Sequence, residues 1–124
     1  MNSIKLFDPI ISSKEEKAIL KVLKSKFWAS GSGTGKVKQF ETEFKHYTNS
    51  KSCVSVNSGT SALHLALSLF DLSNKEVIIP SLSFVSTAHA VVYNGAKPIF
   101  AEIDPKTLCI DPNDISRLIT NKTK

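Results

Sequence analysis

Residues 58–61 read Ser-Gly-Thr-Ser, three hydroxyl side chains around one glycine. They stand between the alternating stretch Cys-Val-Ser-Val-Asn at 53–57 and the start of a leucine-rich run at 60–70. A strand that enters a helix through such a small-residue turn leaves several backbone N–H groups without partners at one point. Together with the positive end of the helix dipole they form a cradle for a phosphate group. Ser58, Thr60 and Ser61 add hydroxyl donors, and Gly59 lets an anion approach the backbone with no Cβ in between. The plain alternative is a strand-to-helix connection in which Ser58 only caps the helix. The turn alone does not decide between the two. A second feature bears on it: Phe84 follows the apolar run 76–80 within a Ser/Thr-rich stretch. A phosphate cup beside an aromatic plate suits a planar, phosphorylated cofactor, with Phe84 stacked on its ring. On its own, Phe84 reads more simply as a core aromatic of an amphipathic helix.

The elements that must position these residues alternate. Ser13 with Glu16 gives a capping-box pattern opening a helix that runs to about Lys26, with Ala18, Ile19, Val22 and Leu23 on one face. Residues 30–35 form a Gly/Ser loop, and Val37, Phe40, Phe44 and Tyr47 mark a second helix. From residue 53 a unit repeats three times: strand 53–57 with helix 60–70, strand 76–80 with helix 84–93, and strand 99–103 with a helix starting at Asp111-Pro112. Asn94-Gly95 ends the middle helix, and Asp111 caps the last one with Pro112 in its first turn. Strands alternating with helices imply an α/β fold with a parallel sheet. The chain divides into a helical segment, 1–52, and a strand–helix segment, 53–124. In parallel sheets ligands bind at the carboxyl ends of the strands, where both the Ser58 turn and Phe84 fall. The helix after the turn is apolar nearly all round and calls for cover on several sides.

Composition narrows the function classes. Of the 124 residues, 41% are apolar and 22% charged, ordinary values for one globular domain. The net charge of +5 comes with a single arginine, Arg117, and with lysines interleaved with glutamates in the first third. That is a solvated surface and not a nucleic-acid interface. Cys53 and Cys109 are far apart in apolar runs and read as buried free thiols, and His46, His64 and His89 share no metal-ligand spacing. No stretch has transmembrane length and residues 1–5 are no signal peptide, so the expected location is the cytoplasm with no membrane partner. Lys36 follows a Gly/Ser loop, but Ser30 and Val37 occupy positions where a P-loop needs Gly and Ser or Thr.

Several motifs in order carry a more specific likeness: 57–67 (Asn-Ser-Gly-Thr-Ser-Ala-Leu-His-Leu-Ala-Leu), 76–81 with Phe84, Tyr93-Asn94-Gly95-Ala96-Lys97-Pro98, and Ile103-Asp104-Pro105 with Ile110-Asp111-Pro112. With Trp28 and Phe40-Glu41 upstream, they make the chain resemble the DegT/StrS family of pyridoxal-phosphate-dependent sugar aminotransferases. The resemblance implies the fold type I large domain of the aspartate aminotransferase type, here incomplete, preceded by two N-terminal helices. It implies pyridoxal 5'-phosphate as cofactor, with Ser58, Gly59, Thr60 and Ser61 at the phosphate and Phe84 on the pyridine ring. It further implies an amino-acid donor, usually glutamate, a nucleotide-sugar acceptor, and a homodimer in the full-length protein. The Schiff-base lysine and the aspartate at the pyridine nitrogen are absent from this chain, because in the family both lie downstream. The expectation is thus the N-terminal part of an enzyme, inactive alone. A dehydratase of the same family, a lyase or acyltransferase of the same fold, and a small non-catalytic phosphate-binding α/β module are the alternatives.

Overall fold

The computed structural model describes residues 4–28 and 35–124. The chain forms two compact units, 1–55 and 56–124.

The first unit holds α1 (Ser13–Ser25) and α2 (Gly35–Tyr47). The capping box exists one residue earlier than expected. Ser12 is the N-cap, and the Glu15 carboxylate accepts the Ser12 N–H at 2.7 Å. Tandem serines each followed three residues later by a glutamate satisfy the same pattern, and here the first pair wins. Lys26 closes α1 in the left-handed region, φ 57°. Gly35 opens α2 at φ +82°, with the Phe27 ring 2.6 Å from where a Cβ would sit, so any side chain there would be strained and would displace that ring. The Gly/Ser loop expected at 30–35 lies outside the described residues except for Gly35.

The second unit orders α3 (Gly59–Leu67), β1 (Glu76–Pro80), α4 (Ser86–Tyr93), β2 (Lys97–Ala101) and α5 (Pro112–Leu118). β1 and β2 pair in parallel, with Glu76 opposite Lys97 and Pro80 opposite Ala101. The α/β, parallel-strand expectation is met. Ile79 from β1, Val91 from α4, and Leu72 and Ala96 from the connections form the core, with Leu67, Val77 and Ala88 packed against it. Burying each of these larger side chains contributes about 1.5–3 kcal/mol. The Asn94 side-chain amide donates to the His64 carbonyl at 3.2 Å and to that of Ala90 at 2.8 Å, tying the end of α4 to α3.

Four expectations need correction. The stretch 53–57 is no strand: no ladder partner exists for it among the described residues, and extended backbone without one is not a sheet. Instead the Glu41 carboxylate accepts both the N–H and the hydroxyl of Ser55, each at 3.0 Å. Those two bonds, the backbone one first, hold the Glu41 carboxyl below its ordinary range. β2 starts two residues earlier than expected: Pro98, which lacks an N–H, is tolerated because among the described residues the strand pairs on one side only. Ile103 makes an antiparallel bridge to Ile110 instead. α3 ends at Leu67 and α4 begins at Ser86, so Phe84 stands before the helix. Finally, Cys109 is exposed and Cys53 half-buried, against the expectation of two buried thiols.

Candidate phosphate-binding turn

At the N-terminus of α3, Ser58 sits in extended backbone as the N-cap. Its hydroxyl accepts the Ser61 N–H at 3.1 Å, and its carbonyl accepts the Ala62 N–H at 3.0 Å. The Ser58 and Ser61 hydroxyl oxygens lie 2.9 Å apart, and Ser61 donates to the Asn57 side-chain carbonyl at 2.8 Å. Two of the four amides that open the helix are thereby satisfied. Those of Gly59 and Thr60 meet no acceptor among the described residues. No heavy atom lies within 4 Å of the place a Gly59 Cβ would take. No acidic residue stands in the first turn, so nothing on the helix itself offsets the positive end of its dipole.

This donor set suits an anion: two free amides, the Thr60 hydroxyl, a helix dipole, and open space beside a residue with no side chain. The cap and the cradle are both realised, at different atoms. The Ser58 hydroxyl is committed to its own helix, and the free donors are one and two residues further on. Asn57, to which the sequence alone assigns no role, fixes the Ser61 hydroxyl. The signal for it was a side-chain carbonyl four residues before a serine across a helix start.

Phe84 belongs to the loop after the carboxyl end of β1 and is 77% exposed. A core aromatic would be buried, so that simpler reading fails within this chain. Its carbonyl accepts the Thr87 N–H at 3.0 Å, and the neighbouring Ser83 and Thr87 hydroxyls are 2.7 Å apart. The ring enters no aromatic pair among the described residues. The structure thus joins Asn57, Ser58 and Ser61 by hydrogen bonds and leaves Gly59, Thr60 and Phe84 presenting free surface.

Asp114 is the other polar group that the sequence pattern does not single out. It is 9% exposed, accepts the Glu102 N–H at 2.7 Å, and receives Arg117 at 2.7 Å. It locks the exit of β2 to α5. Asp104, which follows β2, caps a turn by accepting the N–H of Lys106 and of Thr107.

Comparison with known proteins bears on this geometry. The profile of the DegT/DnrJ/EryC1/StrS aminotransferase family matches residues 9–124. The chain is 39% identical to dTDP-4-dehydro-2,3,6-trideoxy-D-glucose 4-aminotransferase of Saccharopolyspora spinosa over 98% of its own length and 31% of that protein. The PLP form of the sugar aminotransferase Spr1654 from Streptococcus pneumoniae superposes with TM-score 0.87 at 28% identity, covering 99% of this chain and 31% of that one. The E. coli GDP-4-keto-6-deoxy-D-mannose-3-dehydratase with bound hydrated PLP superposes with TM-score 0.84 at 32% identity, covering 100% of this chain and 33% of that one. The chain therefore spans about a third of the length of the relatives it matches.

Proposed function

We propose a function from the premise those matches supply: this chain belongs to the DegT/DnrJ/EryC1/StrS aminotransferase family. The whole protein uses pyridoxal 5'-phosphate to move an amino group, with glutamate as donor, onto a keto sugar carried by a nucleotide. The observation that carries this reading beyond the family match is the start of α3, where the Gly59 and Thr60 amides are free and the space beside Gly59 is open.

In this reading the Gly59 and Thr60 amides and the Thr60 hydroxyl hold the cofactor phosphate. Ser61 joins them when its hydroxyl turns from Asn57 to the phosphate, and Ser58 keeps the first turn of α3 rigid through its cap. Phe84 would stack on the pyridine ring and shield it from water. When bound, the cofactor supplies an electron sink for the carbanion left as the amino acid loses its α proton. The lysine that carries the cofactor and the carboxylate at its ring nitrogen lie outside residues 1–124, so these residues bind and orient but complete no turnover alone. The whole protein works as a homodimer in the cytoplasm. Leu63 and Leu65 on α3, 42% and 43% exposed, fit that reading.

A second reading rests on the dehydratase match: the same site removing a sugar hydroxyl without leaving nitrogen behind. One assay separates them. The whole protein, with pyridoxal phosphate, glutamate and nucleotide-linked 4-keto sugars, should form 2-oxoglutarate and amino sugar in equal amounts. A deoxy sugar lacking nitrogen assigns the dehydratase. Cofactor binding with neither product overturns both.

A further inference from the structure

The amino-terminal edge of the sheet carries a second, oppositely built feature. Residues 56–124 hold six cationic side chains and six carboxylates, a neutral balance. Their distribution is uneven. Glu102, Asp104, Asp111 and Asp114 all follow the carboxyl end of β2, whereas Lys75, Lys97 and Lys122 line one cavity of about 360 Å³ at the amino ends of β1 and β2.

Backbone bonds build this cavity from three separate segments. The Lys97 N–H donates to the Lys75 carbonyl at 2.9 Å, and the Glu76 N–H donates to that of Lys122 at 3.0 Å. Thr123 bridges Glu76 in parallel, so the last residues return to the start of β1. Glu76 is the one carboxylate lining the cavity among the described residues, and it accepts the Thr120 hydroxyl at 2.7 Å. None of the three lysines forms an ion pair among the described residues. Asn74 belongs to the same wall.

Three lysines without ion-pair partners among the described residues thus line one cavity beside a single carboxylate that already accepts a hydroxyl. A multiply charged anion placed there meets an excess of positive charge and can accept charge-assisted hydrogen bonds from these flexible side chains. Ammonium groups bind phosphate as point charges and need no planar fork, so a phosphate oxyanion suits this set better than a group requiring bidentate arginine. We propose that the cavity formed by Lys75, Lys97 and Lys122 binds a phosphate-bearing anion of the diphosphate class. This site is independent of the α3 turn and of the aminotransferase reading.

Lysine acetylation kinetics in the whole protein, read by mass spectrometry, test it with inorganic pyrophosphate as the probe. At ten times the dissociation constant, labelling of Lys75, Lys97 and Lys122 should slow about tenfold, because only the free fraction reacts. Lys14, Lys17 and Lys21 on α1 should label at an unchanged rate at matched ionic strength. In the Lys97→Gln, Lys122→Gln double variant, both substitutions at exposed positions, protection of Lys75 should vanish. Unchanged labelling, equal slowing of the α1 lysines, or equal protection by succinate would each overturn the proposal.

Discussion

Two helices of the second unit begin in opposite ways. α5 opens with Asp111 as N-cap, whose carboxylate accepts the Asn113 N–H at 2.8 Å, and with Pro112, which has no N–H to satisfy. Asp114 in the same turn adds a second negative charge. The Asn113 N–H is used, Pro112 has none to offer, and the dipole is offset by the helix itself. α3 opens with a neutral serine cap, no acid in its first turn, and two unused amides beside a glycine. The same backbone physics serves the fold in one case and leaves an anion site in the other. What distinguishes them is the charge and size of the first four side chains.

The sharpest way to break this contrast is to make α3 begin like α5. Thr60→Asp places a carboxylate in the first turn, where it should stabilise the helix by about 0.3–1 kcal/mol. If the turn holds a phosphate, the same change should weaken pyridoxal phosphate binding by the whole protein about a hundredfold, a loss of about 2.7 kcal/mol. A cofactor titration followed by absorbance checks it. Unchanged affinity would place the phosphate elsewhere. The converse change at α5, Asp114→Ala, leaves the Glu102 N–H without its acceptor and frees Arg117. It should cost about 2 kcal/mol in urea unfolding and leave cofactor affinity unaltered.

Smaller effects refine the picture at the turn. Gly59→Ala adds one methyl where the structure has empty space, so folding should be unharmed or slightly improved. If that space belongs to the phosphate, affinity should fall about tenfold. Loss of affinity without loss of stability is the outcome that a plain capping turn does not produce. Phe84→Ala removes a ring that is already 77% exposed, so stability should be nearly unchanged while cofactor binding weakens by about 1 kcal/mol.

The contrast was only half legible in the sequence. Asp111-Pro112 announces its helix start because both residues act locally: one accepts a neighbouring amide and the other has none to offer. The fold class was legible for a similar reason, since the apolar run 76–80 meets a partner, Lys97–Ala101, inside the same chain. Asp114 was not, because its main partner, the Glu102 N–H, is brought to it by the return of the chain from β2. The stretch 53–57 misled in the opposite sense. Its alternating residues have strand character, but a strand is defined by its neighbour, and none pairs with it among the described residues. At the site, hydroxyl types and the glycine were readable, but which donors remain free was not. That depends on the Ser58 hydroxyl being taken by Ser61 and the Ser61 hydroxyl by Asn57.

α1 extends the comparison, because it too closes its own start, with Ser12 and Glu15 capping each other. The Ser12 hydroxyl, followed by the Ser12 N–H, lowers the Glu15 pKa from its ordinary 4.5. A carboxyl whose folded pKa lies below its unfolded value contributes stability that is fully present above the unfolded value. That contribution is lost as pH falls through the folded one. α1 should therefore become less protected against amide exchange as pH drops from 5 through about 4.5 and below, and Glu15→Gln should flatten that dependence. Because Glu15 is exposed, its effect should be smaller than the stability loss at Asp114 or the affinity losses at α3 and Phe84, and should shrink further in salt. α3 has no carboxylate in its first turn, so its opening amides should show no such step. An equal acid step at Gly59–Ala62 would mean that α3 too borrows an anionic cap, and the distinction between closed and open helix starts would fail.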